Sequence, residues 1–404
     1  MPHKLRNTIR ATLGLLVCFS APLLAQAAPL KVALITSKSH PAYEAYARQT
    51  EAGFMLGLEY LTQGTMMVEG RKIVVINKDD QGKPDMAKAL LTEAYVDDGV
   101  DIAVGTSTSG AALAMLPVAA EMKKILVVEA AVAADITGKF YNRYIFKTSR
   151  NSYHDACAGA AATMAPASLA FLAQDNVFGK DGIAAARDCL GKMGSKAKVV
   201  HEEYAPAAST DFTAPGQRLI DALKKAPEPR FLVVAWAGSS PINKLANLQP
   251  GRYNITLVPG GNLLPVMKGW SAYAGSEGSL YYYYDFPTNP MNRWLVTEHK
   301  KRFNGMPPDF FVAGGAAAAS AVVQALRATK GSSDTERLIT AMEGMNFETP
   351  KGTMTFRKED HQAMQSMYHF RIKAKEKQKN EWDLLELVRE IPAAQLPIPI
   401  NNKP

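Results

Sequence analysis

Short apolar runs and longer amphipathic stretches alternate along most of the chain. The runs are Lys31–Thr36, Lys72–Asn77, Ile102–Gly105, Ile125–Ala130, Tyr144–Thr148, Leu169–Gln174, Lys198–Tyr204, Phe231–Ala237, Ile255–Gly260 and Leu280–Tyr284. Each is rich in Val, Ile, Leu or aromatic residues, as suits a strand buried on both faces. Helical patterns lie between them: Tyr43–Thr62, Pro84–Asp98, Ser109–Lys123, Asn151–Met164, Gly179–Met193, Ala214–Ala226 and Met291–Phe303, with Gly314–Lys330 and Thr335–Gly344 towards the end. Strand–helix alternation at this spacing predicts α/β architecture, with parallel sheets covered by helices. Ten strands exceed what one ordinary doubly wound sheet needs, so two lobes are expected. No solenoid-period repeat is present, and Ala316–Ala319 is the one low-complexity tract, suited to a packed helix. Two polar or Pro-rich interruptions, Thr148–Ser152 and Tyr284–Pro290, mark crossings between the lobes. A ligand is expected in the crevice at the carboxyl ends of the strands.

Charge and composition narrow the classes. The 404 residues carry a net charge of +8, and Lys4, Arg6 and Arg10 supply three of those charges within an N-terminal segment free of Asp and Glu. The remaining excess is mild and scattered, so no nucleic-acid partner is expected. The basic stretch Lys373–Lys379 is broken by Ala374, Glu376 and Gln378 and reads as a solvated face. Residues 1–27 have the form of a secretory signal peptide: a basic start, the apolar stretch Ala11–Leu24, and Ala25-Gln26-Ala27 as a cleavage site. That predicts export, to the periplasm. A lipoprotein reading through Cys18 is disfavoured by Val17 before it and Phe19 after it. No later stretch reaches about 18 consecutive apolar residues, so a soluble mature chain is expected. Cys157 and Cys189 remain after the leader, either bridged or as two buried free thiols.

Catalytic and metal motifs are missing from the sequence. None of the seven histidines forms a His-Glu-x-x-His pair, no cysteine pair has zinc-ligand spacing, and neither a Walker loop nor a dinucleotide glycine fingerprint occurs. The reading is therefore of a protein that is not an enzyme and takes no cofactor. Gly105-Thr106-Ser107-Thr108-Ser109-Gly110 follows a strand and opens a helix, and Ser109 stands where a nucleophile elbow has Gly. Its hydroxyls and the free N–H groups of the helix start form a cradle for a carboxylate or amide oxygen, or else serve as a helix cap. Asp79-Asp80, at a strand end, reads as a pair of solvent-facing loop carboxylates.

Several further segments carry a resemblance. Asp79-Asp80-Gln81-Gly82, Asp97–Gly105, Ser109 with Pro117 and Ala120-Glu121, Arg143–Thr148, Asp175–Gly179 and Thr349–Gly352 with Phe356-Arg357 occur in that order. Together they resemble the leucine/isoleucine/valine-binding protein family, the type I periplasmic solute-binding proteins of ABC transporters. The resemblance spans about 30 to 372. It implies two Rossmann-like lobes joined by a three-crossover hinge, closing on a small solute and docking on a membrane permease as a monomer. The lobes would comprise 28–149 with 285–355, and 150–284 with 356–390, leaving 391–404 as a tail.

In that family the first lobe grips an amino acid's carboxylate. Ser109 matches the serine, with Ser107 and Thr108 beside it, Ala130 matches the backbone contact with Ala131 next to it, and Val132 stands where a threonine is usual. From the second lobe, Phe178 replaces a tyrosine, Gly260 (followed by Gly261) replaces the glutamate that holds the ammonium, and Ser240 replaces a second tyrosine. Tyr46 and Phe311 fall on wall positions, and Trp236 is either a wall or a core residue. Without the glutamate and threonine an α-amino acid loses its main polar clamp. Tyr144–Asn151 and Arg357–Gln362 resemble members associated with aromatic-acid uptake. The expected solute is accordingly an organic acid, aromatic in the first instance, its carboxylate on Ser107–Ser109 and its ring against Phe178, Trp236, Tyr46 and Phe311. Branched-chain amino acids, short amides and a sensory role remain the alternatives. The run Tyr281–Tyr284 either reaches the cleft or is a half-buried strand, and Lys147 and Arg150 either add charge near the hinge or lie on the surface.

Overall fold

The computed structural model describes residues 27–238, 240–258 and 263–402; the expected leader, up to Gln26, lies outside them. The first part of the chain runs β1 (Leu30–Thr36), α1 (Glu44–Leu61), β2 (Met67–Val68), β3 (Arg71–Asp79), α2 (Pro84–Val96), β4 (Ile102–Gly105), α3 (Ser109–Met122), β5 (Ile125–Val128) and β6 (Ile145–Lys147). These strands form one sheet in the order β2-β3-β1-β4-β5-β6, parallel except for the β2–β3 hairpin. Alternate residues of β1 feed two cores. Val32 and Leu34 pack with Phe54 and Leu58 of α1, whereas Ala33 and Ile35 pack with Leu91 of α2 and Ala112 of α3. That is why the strand reads as continuously apolar.

The second lobe comprises α4 (Ser152–Ala162), β7 (Ser168–Gln174), α5 (Val177–Lys192), β8 (Lys198–Ala205), α6 (Thr213–Lys224), β9 (Arg230–Ala235), α7 (Ile242–Ala246), β10 (Ile255–Val258), α8 (Leu264–Met267) and β11 (Glu277–Leu280). Its main sheet has the order β10-β9-β7-β8, all parallel. Leu219, Ile220 and Leu223 of α6 cover Ala170 and Leu172 on one face. Leu169 and Phe171 face the other way, towards α4 and α5. A disulfide joins Cys157 of α4 to Cys189 of α5, which decides between the two readings of the cysteines.

The chain then returns as α9 (Pro290–Arg302), α10 (Phe310–Ala328), α11 (Thr335–Met342), β12 (Asn346–Thr349), β13 (Gly352–Phe356) and β14 (Ala363–Met364), before β15 (Met367–Ile372) and β16 (Leu385–Ile391) complete an antiparallel β11-β15-β16 sheet. Helix α10 is long and apolar enough, by length and composition, to cross a membrane, yet most of it is buried against α1. The two helices approach through small residues. A Cβ on Gly315 would fall within 3.0 Å of the Thr50 carbonyl, and one on Gly53 would do the same to Val312.

Three crossings join the lobes, and side chains bind them to one another. Gln362 and Gln365 donate to the carbonyls of Ser149 (2.8 Å) and Thr148 (3.2 Å). Lys351 Nζ donates to Gln365 Oε1 at 2.8 Å and Ser366 O at 2.7 Å. In the crossing between β11 and α9, Tyr282 Oη donates to Asn292 Oδ1 at 2.6 Å, and Asn292 Nδ2 returns to the carbonyls of Tyr284 and Pro287.

Four expectations are corrected. The strand expected at Leu280–Tyr284 is instead Glu277–Leu280, pairing Glu277 with Arg371. Tyr281–Tyr284 form the crossing, with all four rings buried, and so are neither a half-buried strand nor part of the cleft. Helix α10 begins at Phe310 rather than Gly314, because Asp309 Oδ1 caps it at the Phe310 N–H (2.8 Å). β14 pairs with β13, and Gln362 bridges Lys147 of β6, so we place the third crossing near 365 rather than 355. The tail is anchored on the first lobe: Arg357 donates to the carbonyls of Ile398 (2.8 Å) and Pro399 (2.9 Å), and Asn402 bonds Glu359 O.

Candidate ligand-binding cleft

Where strands expected to reach Ala130 and Ala237 end two residues early, at Val128 and Ala235, the chain leaves the sheets and walls a cleft between the lobes. The cavity measures about 290 Å³. Its floor on the first lobe is the turn from β4 into α3. Gly105 is required at the strand end, since a Cβ would meet the Ile35 carbonyl at 2.5 Å. Asp80 is fully buried, contrary to the solvent-facing reading. It accepts from Ser37 Oγ (2.7 Å), Gly82 N (2.8 Å) and the Thr106 hydroxyl, and so fixes the turn.

The other three hydroxyl residues of the turn line the cleft, and their oxygens all accept from protein N–H groups. Ser107 Oγ accepts from Ser37 N, Thr108 Oγ1 from Ala111 N and Ser109 Oγ from Ala133 N, each at 3.2 Å. Thr108 is the N-cap of α3, so cap and cradle coexist. A hydroxyl that accepts one bond from the protein keeps its proton to donate elsewhere. Ala130, Ala131 and Val132 lie alongside, with the N–H groups of Ala130 and Ala131 both directed to Thr106 O at 3.1 Å.

Aromatic rings form the rest of the wall. Tyr46 stacks on Phe311 with centroids 4.3 Å apart, and its Oη accepts from Gly238 N of the other lobe at 2.6 Å. Burial raises the Tyr46 phenol above its ordinary pKa. Phe178 stands in the first turn of α5, which Asn176 caps through Gly179 N (3.0 Å). Trp236 meets Phe212 edge-on at 5.1 Å within the second-lobe core and also borders the cleft, so both readings of it hold. Ser240 does not line the cavity; its Oγ accepts from Ile242 N at 3.4 Å. Gly260 and Gly261 lie outside the described residues.

Of the two cations near the hinge, one enters the cleft. Lys147 is buried, neither on the surface nor in the cleft. Its Nζ donates to Ala133 O at 3.0 Å, and burial lowers its pKa to about 7. Arg150 does line the cleft. Its Nε bonds both Asp155 oxygens (2.7 and 2.9 Å), and its guanidinium lies 4.5 Å over the Phe310 ring. Among the described lining residues Arg150 is the one Arg, Lys, Asp or Glu. No carboxylate lines the cavity there, and the sequence at Ser239 and Pro259–Asn262 contains none. Sequence reasoning also missed His40, Tyr43, Gln174 and Asn176. The last two end β7 and start α5, a strand–helix junction like the one that identified Ser109.

Polar bonds hold the lobes together around this space. Asp181 Oδ2 of α5 accepts from Ala134 N at 2.9 Å and from Ser152 Oγ, and Asp309 Oδ2 accepts from Leu264 N at 2.8 Å. Burial raises the Asp309 carboxyl to about 6. Below the cleft, Glu129 Oε2 accepts from Thr148 Oγ1 at 2.9 Å, and burial raises its pKa to about 7.

Two α/β lobes, three crossings and an enclosed cleft at the strand ends define a receptor that holds a small solute between its halves. The chain belongs to the periplasmic binding protein family, which it matches over residues 29–378. It is 57% identical to a Rhodopseudomonas palustris protein described as an ABC-type branched-chain amino acid transporter, covering 93% of this chain and 100% of that one with a TM-score of 0.82. A solute-binding protein of an ABC transporter from R. palustris BisB5, solved with 3,4-dihydroxybenzoic acid, is 27% identical over 90% of this chain and 98% of its own, with a TM-score of 0.78. The Leu/Ile/Val-binding protein BraC3 of Rhizobium johnstonii is 23% identical, covering 87% of this chain and 92% of its own.

Proposed function

We propose that this protein captures a small organic carboxylate, aromatic in the first instance, between its lobes in the periplasm and delivers it to the membrane permease of an ABC transporter. The observation that carries the reading is the charge of the cleft wall: among the described residues it holds Arg150, three hydroxyls and several aromatic rings, and no carboxylate. The solute's carboxylate sits on Ser107–Ser109, within reach of the Arg150 guanidinium, and its ring lies between Tyr46, Phe311 and Phe178. A guanidinium and oriented hydroxyls match a carboxylate in geometry and sign. The relative solved with 3,4-dihydroxybenzoic acid supports the same solute class. An α-amino acid would bring an ammonium into a space already holding Arg150, with neutral acceptors alone to meet it. An unpaired buried charge costs several kcal/mol.

A second reading, a branched-chain amino acid, draws on the descriptions of the R. palustris and R. johnstonii relatives. It requires Tyr43, Gln174 or Asn176 to hold the ammonium. A thermal-shift panel on residues 28–404, unfolded and refolded to release bound solute, separates the two. A ligand at 100 times its Kd adds about 2.7 kcal/mol of stability. The proposal expects shifts with benzoate and its hydroxy derivatives, a smaller one with benzamide and none with leucine; a shift with leucine alone overturns it. A sensory protein would bind the same solutes, and loss of uptake on deleting the gene distinguishes transport from sensing.

A further inference from the structure

A second cavity, of about 850 Å³, lies inside the second lobe beside the cleft. It follows one face of β9 from Pro229 to Trp236, about 23 Å at the usual strand rise. Its origin can be traced in the packing. Leu232 and Val234 point into the core under α6, which leaves Phe231, Val233 and Ala235 on the opposite face. From Leu263 on, the segment following β10 borders that space only at its far end, through the small residues Ala274, Gly275 and Ser276. It turns towards β15 instead, where Trp270 is buried and stacks on Phe370 at 6.1 Å. Helices α4 and α5 close the other side with Gly159, Gly182 and Ala186, residues too small to fill the space. A Cβ on Gly182 would meet nothing within 4 Å.

This groove continues the cleft. Arg150, Phe178, Trp236 and Phe310 line both spaces, so the cation stands at their junction and the aromatic rings form a common threshold. Beyond it the groove floor is apolar. The carboxylates on its rim are already engaged, Asp155 by Arg150 and Glu277 by Arg371 and His369. Ligand pockets run to roughly 300–1,000 Å³. The cleft alone sits at the lower end of that range, and cleft and groove together exceed what a single-ring acid fills.

We propose that the groove receives the apolar body of an extended monocarboxylate, an ω-aryl or straight-chain alkanoic acid, whose carboxylate is held at Arg150. This rests on the carboxylate reading of the cleft and adds the length of the solute to it. Each methylene that passes from water into the groove tightens binding, up to about four-fold at full burial.

The test is calorimetry on the intact mature chain with two series. One runs from phenylacetate to 8-phenyloctanoate and the other from butanoate to dodecanoate; benzoate and leucine are included as references. Kd falls along at least one series, by ten-fold or more over the first four added methylenes. Gly182→Leu puts a side chain into the groove from a position that does not itself line the cleft, one turn beyond Phe178 on α5; it leaves the benzoate Kd within about three-fold and removes the dependence on length. A Kd independent of length, or one that rises with it, while benzoate still binds, overturns the groove proposal and leaves the carboxylate reading standing. A length dependence that Gly182→Leu does not flatten places the tail elsewhere and also overturns it. Binding of leucine with no acid of any length overturns both. The series on the unaltered protein decides the matter even if Gly182→Leu fails to fold.

Discussion

Replacing Arg150 with Gln should separate the charge of the solute from its shape. Arg150 is held by the Nε bonds to Asp155 and by its stacking on Phe310, which leaves its terminal nitrogens for the cleft. A hydrogen bond to a charged group contributes about 1.5–3 kcal/mol, so benzoate should bind about 10- to 150-fold more weakly to Arg150→Gln. Benzamide has the same outline and no charge, and its weak affinity should change less than three-fold. The double-mutant cycle formed by two proteins and two ligands then yields a coupling energy that cancels general damage to the site. The Asp155 side chain is partly exposed and regains water when its partner is lost, which limits the cost to folding. Arg150→Lys keeps the charge and loses the planar fork, and should fall between the two. Titration calorimetry at low and moderate salt reads all of these. If benzoate and benzamide weaken by the same factor, or if benzoate is unaffected, Arg150 does not hold the carboxylate and the placement of the solute is wrong.

Three other outcomes follow from the packing. The Cys157→Ser/Cys189→Ser pair, or reduction of the unaltered protein, should lower stability by about 3–4 kcal/mol from loop entropy alone, seen as a lower urea midpoint, with benzoate affinity kept because neither cysteine lines the cleft. Glu129 takes up its proton at about 7 in the folded chain against an ordinary 4.5. The folded state therefore binds that proton more tightly than the unfolded one, and this contribution is greatest below about 4.5 and lost as pH rises to 7. Glu129→Gln should remove this falling contribution from the pH dependence of the urea midpoint across that window, relative to the unaltered protein, and an unchanged pH dependence refutes the assignment. Gly315→Ala gains up to about 1 kcal/mol in helix propensity. It also forces a methyl group against the Thr50 carbonyl, and overpacking of that kind costs about 1–3 kcal/mol; a net loss in thermal unfolding is expected, and a net gain would mean that α1 and α10 separate freely.

What the sequence disclosed follows the range of the forces involved. The parallel strands were legible because burial on both faces writes itself into consecutive residues, as in Leu30–Thr36. Ser109 was legible for a local reason too: a strand end, a glycine, hydroxyls and a helix start lie within a few residues. Strands β12 to β16 were not legible. Leu385–Ile391 exposes five of its seven residues, including Glu386, Arg389 and Glu390, and its strand character comes from pairing with β15. Tyr281–Tyr284 looked more strand-like than Glu277–Leu280, yet β15 offers Arg371 and His369 as partners for Glu277. Arg150 was left open between a hinge cation and a surface residue because its role depends on Phe310, which comes 160 positions later and meets it only in the folded chain. Ser240 misled for the converse reason: a motif position carried over by alignment says nothing about where its loop turns.

The pairing of α1 with α10 bears on the order in which the protein can assemble. Gln49 Nε2 of α1 meets Asp309 Oδ2, at the cap of α10, across 260 positions, and all of the second lobe except β15 and β16 lies between them in the chain. Residues 152–280 therefore contain every strand of a separate parallel sheet and a disulfide before the partner of α1 has been synthesised or has crossed the membrane. That inserted part of the second lobe is free to fold first, with β15 and β16 added to β11 afterwards. The N-terminal strands, although they emerge earlier, wait with one face of their sheet covered by α1 alone until α10 arrives. Closing so long a loop makes that last docking slow.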